Sequence, residues 1–323
     1  MTLVTVVVIG HALPLFRGDG LNSHIYDFIY YWHIPAFVLI TGYLSRSFAW
    51  TRRHLWALFC TIVVPYFIFE TAMMWFRVEV GGEPWLDEMY VNPHWPMWYL
   101  AAVFLWRLAT PILKRHWVFI PLSVAASLVF PLYGSTFLDL NRVLGLLPFF
   151  VVGLHLRPSL LPRLQTRTAR VVGLVALVAM FQLVGHTDDW ITTKWLWYSL
   201  DYDYFGVDLA EGAWIRLRLI AIALAATFAV LAVIPRRRSW FTDMGSATMV
   251  VYLFHGFFVR EAKYAGFSDW AAERGDWTLW ATIGGAICVA LFLAWPPVAR
   301  RLTWFVDPIG SFQRRRRAGL QPS

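Results

Sequence analysis

Apolar runs long enough to cross a lipid bilayer recur along nearly the whole of this 323-residue chain, separated only by short charged clusters. With 59% hydrophobic and 15% charged residues and a mean hydropathy of +0.54, the chain lacks the side chains with which a water-soluble fold covers its core. Lipid must then be the covering solvent, and there the backbone satisfies its polar groups only within helices or a closed barrel. The pattern predicts an all-α fold, a polytopic transmembrane bundle of about ten helices. Spans are expected near 1–16, 25–45, 55–76, 96–113, 117–133, 139–156, 169–186, 213–234, 246–264 and 277–298.

The connections give an independent check, because Lys and Arg concentrate on the cytoplasmic side of short loops. Arg46, Arg52 and Arg53 form a basic connection, and Glu79, Glu83, Asp87 and Glu88 an acidic one. Lys114 and Arg115 are followed by a turn at 134–138 with no basic residue. Arg157, Arg163, Arg167 and Arg170 precede the acidic 187–212 loop, and Arg236 to Arg238 come next. Arg300, Arg301 and Arg314 to Arg317 end the chain. Basic segments occupy every second connection, as an even number of spans with both termini in the cytoplasm requires. The expected organisation is a membrane-embedded domain over 1–298 and a basic cytoplasmic tail over 299–323, in an integral, multi-pass protein of the plasma membrane. The lipid bilayer is the first partner, and the 19 Trp and 13 Tyr suit its headgroup boundary.

Several function classes are excluded. The formal net charge is +8, but the basic residues are scattered over separate loops, which argues against nucleic acid as a partner. Cys60 and Cys288 both lie inside apolar runs, so neither a disulfide framework nor a thiolate metal site is expected. No metal is expected, since no His pair has zinc-protease spacing, and the glycine pairs at 81–82 and 284–285 lack the flanking residues of a phosphate-binding loop. The N-terminal stretch has neither a basic leader nor a small-residue cleavage site and does not read as a signal peptide. The first span is only about 16 residues, or ~24 Å, short for a ~30 Å hydrocarbon core. A natural start further upstream is therefore expected.

Ionisable residues at membrane depth are expensive and are functional hypotheses by default. His11 and His33 fall at similar depth in the outer half, each followed by a proline, Pro14 and Pro35. Glu70, Arg142, Arg216 and Arg218 approach the same side, and His255 lies near mid-membrane. Bland readings stand beside these: His33 can bond carbonyls freed by Pro35, the arginines can snorkel, Glu70 can be an ion-pair partner, and Arg107 suits an interface anchor. A His beside a second His or a carboxylate can remove a proton from a hydroxyl while an Arg stabilises negative charge, which suits group transfer. The same cluster suits a proton relay in a transporter or exporter of a polar envelope component. A purely structural membrane protein explains poorly why ionisable groups gather on one side.

At these residues the chain resembles integral-membrane acyltransferase family 3, in particular its branch related to fucose 4-O-acetylases. The segments "VVVIGHALPL" and "YYWHIPAFVLITGYLSRSF" are similar to the family's first- and second-helix signatures. "MWYLAAVFLWRLATPIL", "LLPFFVVGLHL" and "VVYLFHGFF" resemble its later blocks, in family order. The resemblance implies transfer of an acyl group, usually acetyl from acetyl-CoA as co-substrate, to a hydroxyl of a carbohydrate, glycolipid or other envelope acceptor. It assigns His11 as catalytic base and His33 as its partner or a shaper of the cavity, with Arg142 and His255 lining the site. Glu70 and Arg216 are expected to bind substrate or stabilise charge, and Arg52 and Arg53 to meet the anionic part of the donor. The family carries a basic residue eleven positions before the first-helix His, which here falls immediately before Met1.

Overall fold

The computed structural model describes residues 1–16, 20–135, 137–234 and 239–318; the expected basic connection Arg236 to Arg238 and the side chains of Arg314, Arg316 and Arg317 lie outside what is described. The described residues are helical, with no strand among them. The principal helices are α1 (Thr2–Ala12), α2 (Leu21–Tyr30), α3 (His33–Ser45), α4 (Arg52–Leu58), α5 (Val64–Glu79), α6 (Trp98–Leu113), α7 (Phe119–Val129), α8 (Leu140–Gly145) and α9 (Leu147–His155). They continue with α10 (Arg167–Val184), α11 (Leu209–Val233), α12 (Thr248–Tyr264), α13 (Trp277–Ala294), α14 (Pro296–Val306) and α15 (Pro308–Ala318).

Every expected span contains helix, but length and apolarity single out fewer. Among the described residues, four stretches are long and apolar enough to cross a membrane: Arg52–Glu79, Arg167–Val184, Leu209–Val233 and Trp277–Ala294. A bent pair, Phe137–Gly145 with Leu147–His155, makes a fifth if it counts as one span. The first stretch joins α4 to α5 through a π-helical turn, Phe59–Val63. Thr2–Leu15, Trp98–Leu113 and Phe119–Leu132 are apolar but shorter. On α10, Val171, Val172, Leu174, Val175, Val178 and Leu183 are all more than half exposed. An apolar face turned outward on this scale belongs against lipid.

Two expected spans are not single helices. The 25–45 span breaks at Tyr31 and Trp32, because the Pro35 ring cannot follow a helical Tyr31 carbonyl four residues earlier. Pro35 instead occupies the first turn of α3, where a missing N–H costs nothing. The 139–156 span bends by 56° between α8 and α9, with Pro148 at the second position of α9. At the far end, α14 runs through the expected boundary at 298/299 and packs on α12 and α13, burying Ala299 and Val306.

The chain forms two compact units with interleaved segments: residues 1–17, 50–104 and 237–323 make the first, and 18–49 and 105–236 the second. In the first unit α1 lies against α12 and α13, which also pack on each other. In the second, α3 packs against α9, and α10 against α11. The α3–α9 contact is made by reciprocal glycines. A Cβ on Gly42 would stand 2.1 Å from the Phe150 carbonyl oxygen, and one on Gly153 would stand 2.0 Å from that of Leu39. No rotamer relieves a clash with backbone, so Gly42→Ala or Gly153→Ala should destabilise the protein by about 3 kcal/mol, read as a lowered unfolding midpoint in detergent.

The loop after α5 is tied to the end of α12 by a charged network. Arg77 Nε donates to Glu83 Oε2 at 2.6 Å, while Arg260 Nη1 and the Tyr264 hydroxyl donate to Oε1 at 3.1 and 2.7 Å. Burial opposes ionisation, but the Tyr264 hydrogen bond and the two guanidinium groups outweigh it and hold the Glu83 carboxyl below the usual carboxylate range. A depressed folded-state pKa contributes stability above the unfolded value, near ~4.3, and loses it as pH falls through the folded value. Glu83→Gln should therefore lower the unfolding midpoint at pH 7, and its gap from wild type should close as the pH is taken below about 4.

Candidate active site

The valines of α1 recur so that Val4, Val7, Val8 and His11 share one buried helical face, which carries the imidazole in toward α12 and α13. His255 comes from α12 and is fully buried. His11 Nδ1 lies 2.8 Å from His255 Nε2, with the rings stacked at 5.0 Å. The other nitrogen of His255, Nδ1, lies 2.6 Å from the Tyr252 carbonyl oxygen and 3.2 Å from that of Val251. Carbonyls only accept, so His255 carries its proton on Nδ1 and presents Nε2 as an acceptor. His11 then donates from Nδ1, and its basic lone pair is on Nε2. A chain of two hydrogen bonds thus sets the His11 tautomer, an arrangement that a general base can use.

A connection between α5 and α6 completes this cluster. The Trp95 ring meets His11 edge-on at 4.6 Å and His255 at 6.1 Å. Glu70, on α5, fixes the connection: its carboxylate accepts from the His94 backbone N–H at 2.6 Å and lies 2.8 Å from His94 Nδ1, with both side chains fully buried. The Tyr252 hydroxyl donates to the Pro96 carbonyl. Gly256 admits the same proline, since a Cβ there would stand 3.0 Å from Pro96 Cδ. Trp95 is thus held from three sides against the base.

The remaining expected site residues are placed differently. His33 belongs to the second unit, where Nδ1 donates to the Ile29 carbonyl at 2.8 Å and the ring meets Tyr30 edge-on at 4.6 Å. The imidazole set against His11 is that of His255, expected only to line the site. Glu70 holds a loop through His94, which is a positioning task. Arg142 pairs with Asp139 and donates from Nε to the Trp197 carbonyl at 3.1 Å, so its charge is engaged locally. Arg216 is buried on α11 beside Tyr198, whereas Arg218 faces Trp190 at 4.9 Å and Trp214 at 5.4 Å. Arg52 and Arg53 stand exposed in the first turn of α4.

Comparison with known proteins decides the family. The family model described as "Acyltransferase domain", that of acyltransferase family 3, matches residues 1–299. The chain belongs to this family. No curated protein and no solved structure gives a significant match. As a family 3 acyltransferase, the chain places both histidines of the cluster inside the matched region, along with Glu70 and the 94–97 connection.

Sequence reasoning did not find His94, Trp95 or Tyr252. For His94 and Trp95 the signal available is the run "NPHWPMWYL", in which a histidine and two prolines interrupt the aromatic approach to α6. Glu70→Gln replaces one acceptor of the clamp by a donor and should release the connection. A displacement of about 1 Å at a positioning group costs on the order of 100-fold. Turnover should fall by that order while the protein still inserts and keeps its helix content, as measured by vesicle activity and circular dichroism.

Proposed function

We propose that this family 3 acyltransferase is an O-acetyltransferase of the plasma membrane that moves an acetyl group from acetyl-CoA to a hydroxyl of a carbohydrate or other envelope acceptor. The observation that carries this reading is the His11–His255 contact, which presents His11 Nε2 as the proton acceptor that an alcohol nucleophile needs. The acceptor hydroxyl attacks the thioester carbonyl as its proton passes to Nε2. The C–S bond then breaks, and the imidazolium returns the proton to the departing thiolate, leaving an ester and a free thiol. His255 stabilises the imidazolium as an acceptor at Nε2 and fixes its orientation. Trp95 offers an indole beside the base, a surface of the kind on which a sugar ring packs. In this reading Arg142 holds the 197–199 connection in place, and Arg52 and Arg53 meet the anionic nucleotide of the donor.

Membrane vesicles supplied with labelled acetyl-CoA test it directly. His11→Gln should cut ester formation by at least ~10³-fold with insertion unchanged. His255→Asn should cut it by about 10²-fold, mainly in kcat. Full activity in the His11 variant, or accumulation of an unmodified solute in place of an acetyl ester, would overturn the reading.

A further inference from the structure

The second unit contains a cation that this chemistry leaves unused. Arg216 is 1% exposed, and no carboxylate lies in ion-pair distance of it among the described residues. Its guanidinium lies 4.8 Å over the Tyr198 ring and 5.9 Å from that of Trp195, and the Tyr202 hydroxyl accepts one of its hydrogen bonds. Nε and Nη1 have no hydrogen-bond partner among the described residues, and neither does the Tyr198 hydroxyl, which is itself buried. Cation–π attraction recovers only part of the cost of stripping water from a guanidinium. A cluster with a full positive charge and no anionic acceptor among the described residues is therefore incomplete as it stands.

The surroundings are built to hold these donors in place. Tyr198 adopts a left-handed backbone, φ 57°, which a bulky residue rarely takes without being held there. The holding groups are on α8: Asn141 Nδ2 donates to the Ser199 carbonyl at 2.9 Å, and Arg142 Nε to that of Trp197 at 3.1 Å. Between them Gly145 turns a bare backbone toward the pair, for a Cβ there would stand 3.0 Å from Arg216 Nη1 and 3.1 Å from Tyr198 Cδ1. Arg216 stands seven residues into the 25-residue α11 from Leu209, about 10 Å along it, so when such a helix spans a bilayer the guanidinium lies inside the hydrocarbon, below the headgroups, where an unneutralised charge costs most.

We propose that Arg216 and Tyr198 form a binding site for a phosphate oxyanion, with the guanidinium as counter-ion and the phenol as a further donor. Guanidinium groups match phosphate in charge and donor geometry, and the aromatic walls suit the body to which a phosphate is attached. Trp195 and Tyr198 belong to a connection rather than to one of the long apolar helices. The phosphate is supplied by a lipid headgroup or by a soluble phosphate ester, and the site is independent of which hydroxyl His11 serves.

The test uses the full chain in dodecyl maltoside, a detergent without phosphate, with thermal unfolding as readout. Inorganic phosphate is titrated against chloride at equal ionic strength, and phosphatidylglycerol is added in a separate arm. The wild-type midpoint should rise by several degrees in at least one arm, and the arm that responds identifies the source. Arg216→Met should abolish the response and, having removed a buried charge, unfold without ligand at or above the wild-type midpoint. Tyr198→Phe keeps the ring and loses only the hydroxyl, so its response should need roughly tenfold more phosphate. A wild type that responds in neither arm, or an Arg216→Met protein that responds as wild type does, overturns the proposal. If Arg216→Met does not fold, Tyr198→Phe decides, and an undiminished response there overturns it.

Discussion

Every carbonyl released by a break in an apolar helix must find a donor, because neither lipid nor a packed apolar interior supplies one. Much of the polar content of this chain follows from that demand. Where Pro35 forces a break, the His33 side chain donates to the Ile29 carbonyl at 2.8 Å. At the bend before Pro148, Trp106 Nε1 donates to the Val143 carbonyl at 2.9 Å and Ser127 Oγ to that of Gly145 at 2.8 Å. Neighbouring helices thus complete each interrupted ladder, and a break survives only where such a donor stands ready.

The same accounting gives the histidine cluster its chemistry. His255 bonds to carbonyls of its own helix three and four residues back, a local contact that any buried histidine on a helix can make. That contact fixes its proton, and the fixed proton decides what His11 can do. Among the described residues, the His11–His255 hydrogen bond thus takes its direction from helix geometry. Glu70 is spent on a connection, and its two oxygens hold His94 so that Trp95 closes one side of His11.

Much of this was legible in the sequence. Helical periodicity and membrane-length apolar runs located a helix in every expected span, and the isolated His11 in "VVVIGHALPL" pointed to a buried ionisable group that the structure places against His255. Pairing was not legible, because the residue opposite His11 is 244 positions away and nothing local distinguishes His255 from a packing histidine. His33 looked like a natural partner because both histidines precede a proline; in the structure its Nδ1 donates to the Ile29 carbonyl at the break that Pro35 forces. Arg142 and Glu70 were read by their charge; in the structure Arg142 also holds the Trp197 carbonyl and Glu70 the His94 amide, and such partners leave no trace in residue spacing.

The interleaving of the two units has a consequence for biogenesis. Residues 1–17 join segments that end the chain, so the first unit cannot close until the last third has left the ribosome. At roughly 5–20 residues per second, His11 waits on the order of 10–50 s for His255. Through that interval an imidazole and its valine face sit in the membrane without their final packing, while residues 18–49 and 105–236 can already assemble. The order of synthesis therefore makes the His11–His255 pair a late part of the molecule to form, and a nascent chain cut short anywhere before α12 lacks the contact that fixes the His11 tautomer.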